Sequence, residues 1–205
     1  MTDSSPNSRD KNSLRRALRA RRLALPAPER IRAAEAVADT LQAYRDFHRP
    51  GYVAGYWAMG GELPLHVVQL RLQADQVWCL PCIQDDGSLR FAPWRPGDPL
   101  VSNRFGIPEP EVSPTSTLGA GEMSAILLPV LGFTRSGQRL GMGGGYYDRS
   151  LASGKKPSAP PLLVGVAYAF QELETLPGDP WDVPLDAVVT EQELIVCTRA
   201  ATMST

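Results

Sequence analysis

Residues 125–151 read AILLPVLGFTRSGQRLGMGGGYYDRSL. The first nine, 125–133, form an apolar run too short to cross a membrane and rich in β-formers, so they predict a buried strand. A glycine block comes next. Four glycines occur in five positions (141, 143, 144, 145), although a turn needs only one or two and each adds backbone entropy to be lost on folding. Such a block predicts that something approaches the backbone closely. A glycine loop between a strand and a helix opening at Tyr146 presents N–H groups and the positive end of a helix dipole, the environment that holds phosphate. The block is not GxGxxG, because the sixth position from Gly141 is Tyr146, and it lacks the GK[ST] ending of a P-loop. A purely structural turn or bulge stays open as the alternative.

Working outward, similar runs occur at GYVAGYWAM (51–59), VWCLPCI (77–83), LRFAPW (89–94), LLVGVAYA (162–169) and AVVT (187–190). Near-continuous rather than alternating apolar strands imply a sheet covered on both faces. Helical patterns lie between them. From Asn12 or Ser13, Leu14, Ala17, Leu18 and Leu25 fall on one side; after Pro26 and Pro28, Ile31, Ala34, Ala38 and Leu41 do the same. A third helix is expected from about residue 63, opened by Pro64, with Leu65, Val68 and Leu72 inward. The fold class is therefore α/β, a three-layer α/β/α sandwich around a largely parallel or mixed sheet. One domain over residues 11–197 is expected, with a disordered tail at 1–10 and a second tail at 198–205. The chain of 205 residues, 43% apolar, suffices for one substantial core. The Pro-, Gly- and Ser-rich stretch 95–121 is expected to wrap the surface.

The formal net charge of −1 argues against a general nucleic-acid binder. The charge is unevenly placed: residues 1–30 carry +5 and the rest −6. Lys11, Arg15, Arg19 and Arg22 recur at spacings of four, four and three and share one helix face. That face is either solvated or clamps phosphate oxygens. Arg22, furthest from the start of the helix, is expected to matter least.

No window approaches 18 uninterrupted apolar residues and the polar start has no apolar core, so a cytoplasmic, non-membrane protein is expected. Three cysteines fit that compartment. Cys79 and Cys82 form a CxxC inside an apolar strand run, where their odd separation puts the thiols on opposite faces. They read as core residues rather than a redox or zinc pair.

Among three notable acids, Glu62 and Asp186 have two readings each and Asp148 one. Glu62 follows Trp57 and Met59 past a strand end, where it either caps the helix opened by Pro64 or accepts ring N–H bonds from a flat heterocycle stacked on Trp57. His66, one turn on, reads as a helix-surface residue. Asp148, one turn into the helix after the glycine block, offers oxygens to Mg²⁺ bound to the same phosphates. Asp186 is a turn aspartate before a strand or a second oxygen ligand.

Taken together, RLGMGGGYYDR after LLPVLGF, with KNSLR, YWAMGGEL, FGIPEP and DVPLDAVVTE in the same order between Lys11 and Leu194, resembles the 5-formyltetrahydrofolate cyclo-ligase family, also called 5,10-methenyltetrahydrofolate synthetase. The resemblance implies a folate substrate, ATP as co-substrate and Mg²⁺ as cofactor, in a monomer that binds neither nucleic acid nor membrane. It implies ATP binding by Lys11, Asn12, Ser13, Leu14 and Arg15 and by Arg139, Leu140, Gly141, Met142, Gly143, Gly144, Gly145, Tyr146 and Tyr147. Trp57, Glu62 and residues Met142 to Tyr146 would face the folate, and Asp148 and Asp186 would hold the metal. Some relatives carry Lys where this chain has Gly144, so that phosphate contact falls to Arg139, Arg149, the N-terminal helix or nothing. The implied reaction needs no protein nucleophile, in keeping with the lack of a Ser/His/Asp or Cys/His constellation. A non-catalytic relative of the same fold is the alternative.

Overall fold

The computed structural model describes residues 6–152, 161–176, 179 and 182–198. Helix α1 runs Pro6–Leu23, so it begins inside the expected N-terminal tail and not at Asn12; proline at a first turn sacrifices no hydrogen bond. Helix α2, Ala27–Ala43, starts behind Pro26. Strand β1 is Gly51–Ala54. Just past it Gly55 passes the Trp78 ring, which a Cβ would meet at 2.0 Å, so only glycine fits there. Helix α3 is only His66–Leu70, shorter than the pattern from residue 63 predicts.

Next come β2 (Gln76–Ile83), β3 (Leu89–Pro93), β4 (Leu100–Ser102), β5 (Pro108–Pro110), β6 (Met123–Pro129), β7 (Gly132–Phe133) and β8 (Arg139–Leu140). Helix α4 (Tyr146–Ala152) succeeds the glycine block as expected, and β9 (Leu162–Val166), β10 (Ala187–Val189) and β11 (Leu194–Val196) complete the chain. Seven strands make one mixed sheet in the order β11-β10-β9-β6-β1-β2-β3. The five central strands are parallel, and β3 and β11 close the edges antiparallel.

Strand pleating divides the apolar runs between two cores. Val53, Trp78, Leu80, Leu127, Val164 and Val189 face one side, with Ala34, Val37, Ala38 and Leu41 of α2. Ala54, Cys79, Ile126, Leu128, Leu163 and Val188 face the other, with Phe91, Phe133 and the Tyr146, Tyr147 and Leu151 of α4. This is the sandwich that the continuous runs predict. Ile31, expected inside, is 54% exposed. Burial pushes the Cys79 and Cys82 thiols up to about 12 and about 11, and both are free.

Helix α1 packs differently. Its Leu14 and Leu18 join a third cluster with Leu131, Leu140 and Leu176, beyond the end of β6. That packing turns the adjoining basic face toward the parallel strands' carboxyl ends. Among the described residues no helix is long and apolar enough to cross a membrane.

Candidate functional site

The strand order reverses between β1 and β6: the chain runs outward to β2, then returns to β1's other side. The crevice at such a reversal, beyond the carboxyl ends of the strands, is where open α/β sheets bind ligands. A cleft of about 790 Å³ lies there, lined by Tyr56 to Glu62 after β1, Leu128 and Pro129 of β6, residues 141–148, and Lys11, Arg15, Arg19 and Arg22 of α1. All four predicted basic residues thus face one cavity.

One end of the cleft is the glycine loop. Among the described residues, none of the N–H groups of residues 141–145 donates to a backbone carbonyl or a side chain. Arg15 Nε donates to the Gly141 carbonyl at 3.0 Å and Nη1 to Asn12 at 2.8 Å. Arg149 braces the loop from outside, Nη2 reaching the Gly144 carbonyl at 2.6 Å and Nε the Gly87 carbonyl at 3.0 Å. The glycines have different reasons. Gly143 and Gly145 have φ of 96° and 66°, which favour glycine, and a Cβ at Gly144 would meet the Tyr146 ring at 2.5 Å. Gly141 has neither reason: its φ is not positive, and a Cβ there would point into open space.

The other end is built by the loop after β1. Glu62 Oε2 accepts the Met59 N–H at 3.0 Å, and Oε1 lies 3.7 Å from Arg22 Nη2. Arg22 is buried, 2% exposed, and its Nε donates to the Gly60 carbonyl at 3.0 Å. Burial raises the Glu62 carboxyl above its usual range, while the Met59 N–H and the Arg22 charge pull it back. Burial also pushes the Tyr147 hydroxyl well up, with the Glu62 charge as a secondary cause. Trp57 is half-exposed and meets Trp94 edge-on at 6.0 Å. Arg22, expected to matter least, turns its long side chain inward from the end of α1 and lines the cleft.

The acids separate. Asp148 lines the cleft, paired with Arg139, whose Nη1 also reaches the Val183 carbonyl. Asp179 and Asp182 line it as well, with Lys11 Nζ 2.7 Å from Asp179. Asp186 is not brought to them. Its carboxylate accepts the Leu163 N–H at 2.9 Å at the start of β9, the opposite end of the parallel strands from the cleft, so its placement favours strand pairing over metal binding.

Sequence reasoning missed the wall built by β4 and β5. Asn103, Phe105, Ile107 and Glu109 line the cleft. The Glu109 carboxylate accepts the Ile83 N–H at 3.0 Å and the Asn103 amide at 2.7 Å, which ties this hairpin to the sheet. Phe105 is 54% exposed and meets Tyr146 edge-on at 6.0 Å. An exposed Phe in FGIPEP was the available signal.

A family model described as the 5-formyltetrahydrofolate cyclo-ligase family matches residues 7–191. The chain belongs to that family. Among cyclo-ligases, that of Escherichia coli K12 is 34% identical over 182 residues, covering 86% of this chain and 98% of the relative. The Haemophilus influenzae cyclo-ligase is 32% identical over 183 residues, covering 87% and 96%. The solution structure of Aquifex aeolicus 5,10-methenyltetrahydrofolate synthetase superposes with a TM-score of 0.78 at 31% identity, covering 95% of this chain and 96% of that one. A Mycoplasma pneumoniae synthetase at 24% identity and TM-score 0.67 shares the fold. This cyclo-ligase family member is therefore an enzyme with the fold of its relatives.

Proposed function

We propose that the chain converts 5-formyltetrahydrofolate to 5,10-methenyltetrahydrofolate with release of ADP and phosphate from ATP. One observation carries this: a single cleft joins a glycine loop, whose N–H groups are unpaired among the described residues, to a carboxylate and an indole at its other end. The loop, Arg15 and Lys11 suit the phosphates, and Trp57 and Glu62 suit the pterin. The formyl oxygen attacks the terminal phosphorus, ADP leaves with the electron pair, and N10 adds to the activated carbon and gives up its proton, which the departing phosphate carries away. Loss of phosphate leaves the methenyl bridge. Such a transfer depends on positioning and charge neutralisation, which this cleft supplies without a nucleophile.

Among the described residues no three acids, histidines or cysteines cluster as a metal site; Asp148, a hard oxygen donor of the kind Mg²⁺ prefers, lines the cleft beside the loop and is the residue we assign to the ion. When bound, the ion adds neutralisation of phosphate charge. Asp186 enters this reading as a support of strand pairing. The basic face of α1 lines the cleft, which supports a small-molecule phosphate reading of it. In this reading the chain acts as a monomer on a small-molecule folate.

The test mixes protein, ATP, Mg²⁺ and 5-formyltetrahydrofolate and follows methenyl absorbance and ADP. One ADP per product is expected, and none of either without ATP. Product at an equal rate without ATP overturns the ATP-dependent reading; nucleotide and folate binding with no turnover leaves the non-catalytic relative.

A further inference from the structure

The cleft's cations are engaged to different degrees. Lys11 holds Asp179, Arg15 holds the Gly141 carbonyl and Asn12, Arg22 holds Gly60 and Glu62, and Arg139 holds Asp148. Arg19 lines the same cleft and is exposed. Among the described residues it makes no hydrogen bond, ion pair or ring contact.

Helix geometry fixes where it stands. Arg15 and Arg22 are about 10 Å apart along α1 at 1.5 Å per residue. The first is pinned to the glycine loop and the second to the loop after β1. Arg19, four residues past one and three before the other, lies on the same face between them. Its charge acts weakly on Arg22, the smallest of the influences on that guanidinium. Among the described residues no contact uses this cation, and like charges on one helix face repel, so an anion between them would be favoured.

On the reading proposed above, phosphates lie at the loop and the formyl-bearing ring lies beside Glu62. The phosphorus that moves therefore crosses the interval that Arg19 faces. We infer that Arg19 is a catalytic residue, its forked N–H donors holding the oxygens of the phosphoryl group as it passes from ADP to the formyl oxygen. The phosphorus–oxygen bond to ADP breaks with its electron pair on ADP, the bond to the formyl oxygen forms, and Arg19 donates hydrogen bonds without losing a proton. Its role is charge neutralisation in transit.

The experiment compares Arg19→Ala, Arg19→Lys and, as an equal change of charge, Arg16→Ala. Arg16 does not line the cleft and reaches only Ser13 Oγ at 3.2 Å. Arg19→Ala should lower kcat about ten- to a hundredfold, with folate KM held within about twofold. Its Tm should match the parent's, Arg19→Lys should keep an intermediate kcat, and added guanidinium ion should restore part of the alanine variant's rate. Arg16→Ala should turn over like the parent. A kcat that survives Arg19→Ala, a loss confined to the KM for ATP, or an equal loss in Arg16→Ala overturns the assignment. The parent's own assay separates the two levels: an inactive parent removes the cyclo-ligase reading and Arg19's role with it, whereas an active parent with an unimpaired Arg19→Ala removes Arg19's role alone.

Discussion

Arg22 Nη2 stands 3.7 Å from Glu62 Oε1, a cation on the last turn of α1 against an acid on the loop after β1. Both side chains are largely out of water, so each would be costly without the other. The cation opposes the effect of burial on the acid proposed to face the pterin.

Burial is the larger influence on Glu62 and raises its pKa; Arg22 lowers it. The acidic limb of folate kcat/KM should therefore fall above the usual carboxylate range, because the ionised form accepts the ring N–H bonds. Removing the cation takes away a lowering influence, so Arg22→Gln should shift that limb to still higher pH, and Arg22→Lys should shift it less. A pH profile of kcat/KM for each variant checks this, and a limb that stays put or moves down counts against the pairing.

Glu62→Gln should lower folate kcat/KM about ten- to a hundredfold, the loss expected for a hydrogen bond to a charged group. The KM for ATP should stay near the parent value. Steady-state kinetics with each substrate varied in turn would show the split, and an unchanged folate kcat/KM would return Glu62 to a loop-bracing role through Met59.

The glycine loop separates ligand from fold. Gly143→Ala forces a side chain into a left-handed φ, which costs about 1–2 kcal/mol and should lower Tm by about 2–8 °C. Gly141→Ala places its Cβ in open cleft, so Tm should hold while ATP binding weakens. Melting curves and ATP titrations of the two variants test this; normal ATP binding by Gly141→Ala would move the phosphates elsewhere.

Asp148→Asn removes a charge from the Arg139 pair and from the proposed metal position. The expected result is a lower kcat with a raised Mg²⁺ requirement, partly relieved at high Mg²⁺. Were Asp148 there only to position Arg139, kcat would drop with no change in the Mg²⁺ titration midpoint.

The central strands were legible because both their faces are buried, which writes hydrophobicity at every position: β2, β6, β9 and β10 fall within or beside the predicted runs. The basic face of α1 was legible for a similar reason, since helical spacing alone gathers Lys11, Arg15, Arg19 and Arg22. What sequence did not reveal depends on partners distant in the chain. The β4–β5 wall is held by Glu109 against Ile83, and no local pattern in residues 95–121 announces that bond. Arg22 is buried because Gly60 and Glu62 receive its guanidinium, a fate its neighbours in α1 do not share. Asp186 looked equivalent to Asp148 until strand order put them at different ends of the parallel strands.

The links that hold α1 across the cleft join residues far apart in the chain: 126 positions separate Arg15 from Gly141, and 168 separate Lys11 from Asp179. Contacts of such separation carry the largest loop-closure cost and tend to form late. During refolding, then, strand pairing and burial of Trp78 should come first and turnover later. The oldest part of a nascent chain would wait for one of the newest before the enzyme could work.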